Sequence, residues 1–194
     1  MTFLANQTFP NYIIDFMSSE WILNNIIVVA VVVLFLIIGR KLSTQNNTRV
    51  TYLMGVILFF SSVITPLRTA LNGDWNMATD LPFHLCGISG LICSFLPFIK
   101  RKQFLFDFVF YSGIIGGIMS VLTPQMNGYD GSHFAYLEYY VRHVLILLLP
   151  LYMFKYLNIH SSRYSTYISF LILNILMIII MPLKFYLGSN YMYL

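Results

Sequence analysis

The first residues of this chain that could do chemistry are His84 and Cys86, at the start of an apolar stretch that runs over 81–99. A thiol can act as a nucleophile, and an imidazole can act as a general base, a proton relay or a headgroup contact. Ionisable groups inside a membrane-spanning segment are costly, so each is a functional-site hypothesis. We therefore take His84 and Cys86 as candidate catalytic residues.

A second group of polar residues opens the apolar stretch 139–156. Glu138 and Arg142 are four residues apart, which predicts an ion pair on one helix face, and Tyr139 and His143 have the same spacing. His143 is a further candidate catalytic base. Arg142 could bind a phosphate or a carboxylate, although the pair with Glu138 also has a purely structural explanation. We assign Glu138, Tyr139, Arg142 and the nearby His133 to substrate binding.

The geometry of a helix limits which of these groups can cooperate. In the helix predicted over 81–99, the side chains of His84 and Cys86 point about 200° apart and cannot form a dyad with each other. A Cys–His pair would then join two helices, with His143 or His133 reaching Cys86. The alternative is that Cys86 is an inert small hydrophobe, because apolar surroundings disfavour the thiolate.

Composition defines the class of protein. The chain has 194 residues, of which 58% are hydrophobic and 9% are charged, and its mean hydropathy is +0.76. Soluble domains carry roughly 25% charged residues, so this is an integral membrane protein, and its short polar segments predict one domain over 1–194. The formal charge of +4 comes from residues that flank apolar runs, so we expect no nucleic-acid partner. We expect neither a cofactor nor a metal, since Gly-rich phosphate loops and zinc-type cysteine pairs are missing from the sequence.

Six apolar runs approach the roughly 20 residues that a transmembrane helix needs. They predict an all-α, polytopic membrane helix bundle with six transmembrane helices. Small residues in the third and fourth runs favour close helix packing, or backbone that lines a cavity. The predicted spans lie near 25–39, 50–67, 81–99, 105–122, 139–156 and 166–183.

Loop charges predict the orientation of the bundle. Lys and Arg cluster in alternate loops, around 40–49, 100–102 and 155–163, whereas the other segments carry acidic residues that include Asp74. The positive-inside rule makes the basic side cytoplasmic and both termini extracytoplasmic, as in a multi-pass protein of the cell membrane. The candidate residues would then line a polar pocket open to the outer leaflet. On the cytoplasmic side we expect Asp107 to be neutralised by the cluster 100–102.

The segments 81–86, 133–143, 150–152 and 190–194 together resemble the YwaF-like family of bacterial integral membrane proteins. The resemblance implies a helical protein with six or seven spans. That family is similar, more distantly, to eukaryotic multipass acyltransferases that move fatty-acyl groups onto ether lysophospholipids, in which a Pro-Cys-His segment supplies the nucleophile. Here His84 matches the histidine of that segment, whereas Phe83 occupies the cysteine position and Cys86 follows three residues later.

Two classes of function are consistent with these residues. The first is a lipid acyltransferase or lipid ester hydrolase that acts on membrane lipids, with a lipid or lysolipid as substrate. The second is a noncatalytic protein that binds or transports a ligand or an ion. A purely structural role would predict that substitutions of His84 and His143 change stability alone.

Overall fold

A computed structural model of the chain describes residues 11–73, 75–127 and 129–193. Asp74 and Leu194, which entered the sequence analysis, lie outside the described residues. The described residues form an all-α bundle of six helices with one pair of two-residue antiparallel strands, β1 (Tyr12–Ile13) and β2 (Gln125–Met126). The helices are α1 (Ser19–Lys41), α2 (Thr44–Asn72), α3 (Leu85–Phe95), α4 (Gln103–Leu122), α5 (His133–Tyr156) and α6 (Ser165–Leu187).

The helix ends follow from local sequence. Ser18, Ser43 and Ser132 precede α1, α2 and α5, and each side-chain oxygen accepts a hydrogen bond from a backbone N–H in the first turn. Such caps satisfy donors that have no partner within the helix. Gly73 and Gly188 end α2 and α6 in the left-handed conformation, which glycine adopts without steric cost.

Five of the described helices, not six, are long and apolar enough to cross a membrane; they are α1, α2, α4, α5 and α6. The exception falls in the third predicted span. There α3 and the 3₁₀ turn that follows it cover Leu85–Phe98, a length of about 21 Å against a hydrocarbon core of roughly 30 Å. The predicted all-α bundle of six helices is confirmed, and the third predicted span is the one whose helical part is shorter than the others.

Residues 81–84 are not helical because the local chemistry opposes a helix. Pro82 lacks a backbone N–H and disfavours helical geometry in the residue before it. A carboxylate oxygen of Asp80 accepts from the backbone N–H of Asn76, at 2.8 Å, and forms a turn instead. His84 is the extended N-cap of α3, with φ −69° and ψ 149°. The estimate that His84 and Cys86 point about 200° apart on one helix was therefore wrong.

Helices α4 and α5 form the centre of the bundle. The most apolar part of α5 is 56% buried, whereas the corresponding parts of α1 and α6 are 11% buried and present most of their surface to lipid. Gly113 and Gly117 of α4 allow close approach to α5, because a Cβ at either position would lie 3.0 Å from the backbone oxygens of Ile146 or His143. This central contact holds α5, which carries five of the seven candidate site residues.

Candidate functional site

A cavity of about 610 Å³ lies between α2, α3, α4 and α5. Residues from the non-helical segment before α3 and from β2 also contribute to its wall. The cavity brings together six of the seven residues that the sequence analysis selected. These are His84, Cys86, Glu138, Tyr139, Arg142 and His143.

His133, the seventh candidate, lies elsewhere. It is the first residue of α5, it is exposed, and it does not line the cavity. Glu138 is more than one helical turn further along the same helix and faces inward. The sequence analysis assigned both residues to substrate binding, but their positions along α5 place His133 at the surface and Glu138 at the cavity.

The segment that carries His84 is held by the C-terminal end of the described chain. The Tyr191 hydroxyl donates to the backbone oxygen of Met77 at 2.6 Å and accepts from the backbone N–H of Leu81 at 3.1 Å. The ring of Tyr191 meets the imidazole of His84 edge-on, with the ring centroids 5.3 Å apart. Tyr191 is fully buried, so these contacts fix the course of the backbone beside the cavity.

Cys86 lies in the first turn of α3 and contacts α4. Its Sγ is 3.3 Å from the Ser120 hydroxyl oxygen and 3.9 Å from the carbonyl oxygen of Gly116. Among the described residues, Cys86 is not hydrogen-bonded to His143 or His133, the two histidines that the sequence analysis considered for an interhelical Cys–His pair. Ser120 also lines the cavity, but the sequence analysis did not select it as a functional residue. It ends the run of small residues in α4, which was explained by helix packing.

The orientation of His143 is set by its own helix. Its Nδ1 is 2.7 Å from the backbone oxygen of Tyr139, and since a carbonyl oxygen can only accept, Nδ1 donates this hydrogen bond. In the neutral imidazole, Nε2 then carries the lone pair that can accept a proton. The hydroxyl of Tyr139 donates to the backbone oxygen of Ser120 at 2.8 Å, so Ser120 contacts both Cys86 and the tyrosine that orients His143.

Glu138 and Arg142 form the expected ion pair, with Oε1 and Nη2 2.6 Å apart. Ser61 of α2 joins both partners: its hydroxyl donates to Glu138 at 2.7 Å, and its carbonyl oxygen accepts from Arg142 at 2.5 Å. The Nε of Arg142 is buried without a hydrogen-bond partner among the described residues. The guanidinium thus retains a donor for which the described residues supply no acceptor.

Asp107 lies outside this cavity. Its carboxylate is buried and accepts hydrogen bonds from the Gln103 side chain at 2.9 Å and from the backbone and hydroxyl of Ser162 at 2.8 and 2.7 Å. The ammonium group of Lys102 donates instead to the Pro97 carbonyl oxygen. Among the described residues, the basic cluster forms no ion pair with Asp107, which is hydrogen-bonded instead by Gln103 and by Ser162 of the loop before α6.

Across the residues that the structure describes, no group of three or more His, Cys, Asp or Glu side chains is arranged to hold a metal ion. No curated protein and no solved structure matches the chain. Residues 16–194 match the TMEM164 family, a multipass membrane family. The match spans nearly the whole chain and agrees with the five apolar helices of the bundle. This protein is therefore a member of the TMEM164 family.

Proposed function

We propose that this protein is a lipid-active enzyme of the cell membrane that transfers or hydrolyses acyl groups in a cavity open to the outer leaflet. The observation that carries the proposal is the 610 Å³ cavity, in which a thiol, two imidazoles and a guanidinium meet inside a bundle of membrane-length helices. Chemistry on a lipid needs such groups at bilayer depth. Burying an ionisable group there costs free energy, so its presence supports a functional role.

The residues divide into roles by chemistry. His143 accepts the Cys86 proton at Nε2, after the thiol rotates away from Ser120, and the sulfur attacks the ester carbonyl of an acyl lipid. A carbon–sulfur bond forms and the ester carbon–oxygen bond breaks, and the released alkoxide takes the proton from the imidazolium. Water or the hydroxyl of a lysolipid then attacks the thioester and gives its proton to His143. The carbon–sulfur bond breaks, and the thiolate recovers that proton.

Two further groups have positions suited to binding. Arg142 retains an unpartnered Nε–H, which fits a phosphate or carboxylate oxygen of the lipid. His84 lies two residues before Cys86 and is the alternative base. The resemblance to YwaF-like proteins and to the multipass acyltransferases supports a role for His84, and it leaves Cys86 as a nucleophile displaced by three residues from the position of Phe83.

The test is covalent labelling of the purified protein with a cysteine-reactive acyl-lipid probe. Cys93 provides a matched control, because it lies on the same helix as Cys86 and is fully buried. We expect Cys86→Ala to abolish labelling and ester turnover, and Cys93→Ser to retain both. Equal labelling of wild type and Cys86→Ala would exclude covalent catalysis through this thiol.

A second candidate function is noncatalytic binding or transport of a ligand. It is favoured by one specific observation, namely that Cys86 is hydrogen-bonded to Ser120 and Gly116 rather than to His143. Transport predicts substrate-dependent flux in proteoliposomes that His84→Ala abolishes and Cys86→Ala leaves intact. If His84→Ala and Cys86→Ala both abolish flux, and both also abolish probe labelling, the result would favour the enzyme.

A further inference from the structure

We propose that a second cleft, at the other end of the bundle, binds the headgroup of an anionic phospholipid. The cleft has a volume of about 520 Å³ and lies between the C-terminal ends of α1 and α5. Its polar wall consists of Arg40, Lys41 and Lys155. It is separate from the catalytic cavity and has no lining residue in common with it.

The cleft has a net positive charge, and no carboxylate of the described residues forms an ion pair with it. The two ion pairs among the described residues are Arg68–Asp130 and Arg142–Glu138, and neither includes a cation of the cleft. Arg40, Lys41 and Lys155 are exposed. Basic pockets between transmembrane helices on the cytoplasmic side, the side that the positive-inside rule predicts here, are typical sites for anionic lipid headgroups.

An apolar strip of α1 continues from the cations towards the middle of the bilayer. Val33 and Ile37 are four residues apart, Arg40 follows three residues later, and all three line the cleft together with Leu36. This spacing places the side chains on one helix face. Val33 and Ile37 are 47% and 53% exposed, so an acyl chain can lie along them while its headgroup reaches Arg40.

At the floor of the cleft, α1 and α5 are closely packed and joined by hydrogen bonds, which restricts their relative movement. Gly39 permits their close approach: a Cβ at this position would lie 2.6 Å from the ring of Tyr156 and 2.7 Å from the hydroxyl of Tyr152. The Tyr156 hydroxyl donates to the backbone oxygen of Leu36. The side chain of Asn47 accepts from Tyr152 at 2.6 Å and donates to the Gly39 carbonyl at 3.1 Å. The site therefore needs little rearrangement to bind a lipid.

These features together select one occupant. Three cations without a carboxylate partner among the described residues favour an anionic ligand, although Lys155 also lies over the Tyr156 ring at 5.9 Å from its centroid. The exposed apolar strip favours a ligand with a hydrocarbon chain. A phospholipid with net negative charge satisfies both requirements in the leaflet that surrounds the cleft. A free phosphate ion satisfies the first requirement alone, and a zwitterionic lipid contributes no net charge.

The experiment measures binding of phosphatidylglycerol and phosphatidylcholine to the full-length purified protein by native mass spectrometry, with inorganic phosphate as a third probe. The test variant is Arg40→Gln/Lys41→Gln/Lys155→Gln. The matched control, Arg49→Gln/Lys100→Gln/Arg101→Gln, removes the same charge from exposed residues on the same predicted side of the membrane. At about fivefold per cation, the test variant should bind phosphatidylglycerol roughly 100-fold more weakly.

We expect the control variant to keep the wild-type preference for phosphatidylglycerol over phosphatidylcholine. An equal loss of preference in both triple variants, or no loss in the test variant, would overturn the proposal. A third variant, Ile37→Gln, keeps every charge and should weaken phosphatidylglycerol binding severalfold. If Ile37→Gln binds the lipid as wild type does, or if inorganic phosphate competes fully, the ligand is an ion and the proposed lipid site is wrong.

Discussion

The two ion pairs of the described residues differ in where they lie and in what surrounds them. Arg142 and Glu138 lie within α5, with 22% and 12% of their side chains exposed, and both line the candidate cavity. Arg68 and Asp130 join the end of α2 to the loop before α5 and are 35% and 27% exposed. The first pair is the more buried of the two and lies at a cavity, whereas the second is more exposed and lies at the end of a helix.

This difference leads to a prediction about which pair has a role beyond folding. An exposed pair costs little to form and contributes little to stability. A pair in the interior must repay the desolvation of two charges, and replacing both with apolar residues is often neutral or stabilising. The Glu138–Arg142 pair is therefore expected to add little to the free energy of unfolding. Its position at a cavity supports the proposal that it binds a ligand. Three predictions test the comparison.

The largest effect is expected for Arg142→Met. This change leaves the Glu138 carboxylate inside the bundle with the Ser61 hydroxyl as its remaining partner, and we expect a loss of about 2–3 kcal/mol in the free energy of unfolding. The double variant Glu138→Leu/Arg142→Met removes both charges and should recover most of that loss. Lipid turnover should be lost in both variants. The measurements are reversible unfolding in detergent and turnover per folded protein.

The double variant decides between a structural and a functional pair. If it recovers both stability and turnover, the pair contributes to folding and the binding role of Arg142 is wrong. If neither the single nor the double variant changes turnover, the cavity does not use this guanidinium at all.

A second, smaller effect is expected for Asp107→Asn, which changes a buried carboxylate outside the cavity. The amide oxygen can still accept one or two of the three hydrogen bonds from Gln103 and Ser162, but without the negative charge, so we expect a loss of about 1–2 kcal/mol. Turnover per folded protein should stay within twofold of wild type. If turnover per folded protein falls by much more than twofold, then Asp107 has the same kind of role as Glu138.

The sequence predicted local relations well. The four-residue spacing of Glu138 and Arg142 is a property of one helix, so the ion pair could be predicted without knowing any other element. The apolar runs predicted a membrane bundle, because hydropathy reports the surrounding lipid directly. The start of α3 was missed, although Pro82 and the turn-forming Asp80 were visible signals against a helix.

The relations that could not be predicted join residues far apart in the chain. Ser61 is 77 residues from Glu138, and the contact of Cys86 with Ser120 requires the packing of α3 on α4. The same limit applies to Arg68 and Asp130, which are 62 residues apart. Such contacts depend on the crossing positions of helices, which a hydropathy pattern does not contain. The cavity depends on the same crossing positions, so it could not be predicted from the sequence either.

The smallest effect concerns the surface pair. Although partial burial by itself opposes ionisation, hydrogen bonds from Ser132 and the pairing with Arg68 lower the pKa of Asp130 below its ordinary value. A depressed folded-state pKa stabilises the protein above the unfolded-state pKa of about 4, and that contribution is lost as the pH falls through the folded-state value.

We expect Asp130→Asn to be less stable than wild type at pH 6 by under about 1 kcal/mol, and the difference to shrink below pH 4. Thermal unfolding of both proteins between pH 6 and pH 3, at 0.05 and 0.5 M salt, measures it. A difference that is large, or independent of pH and salt, would mean that the surface pair is as strongly coupled to the fold as the cavity pair, and the contrast between the two would fail.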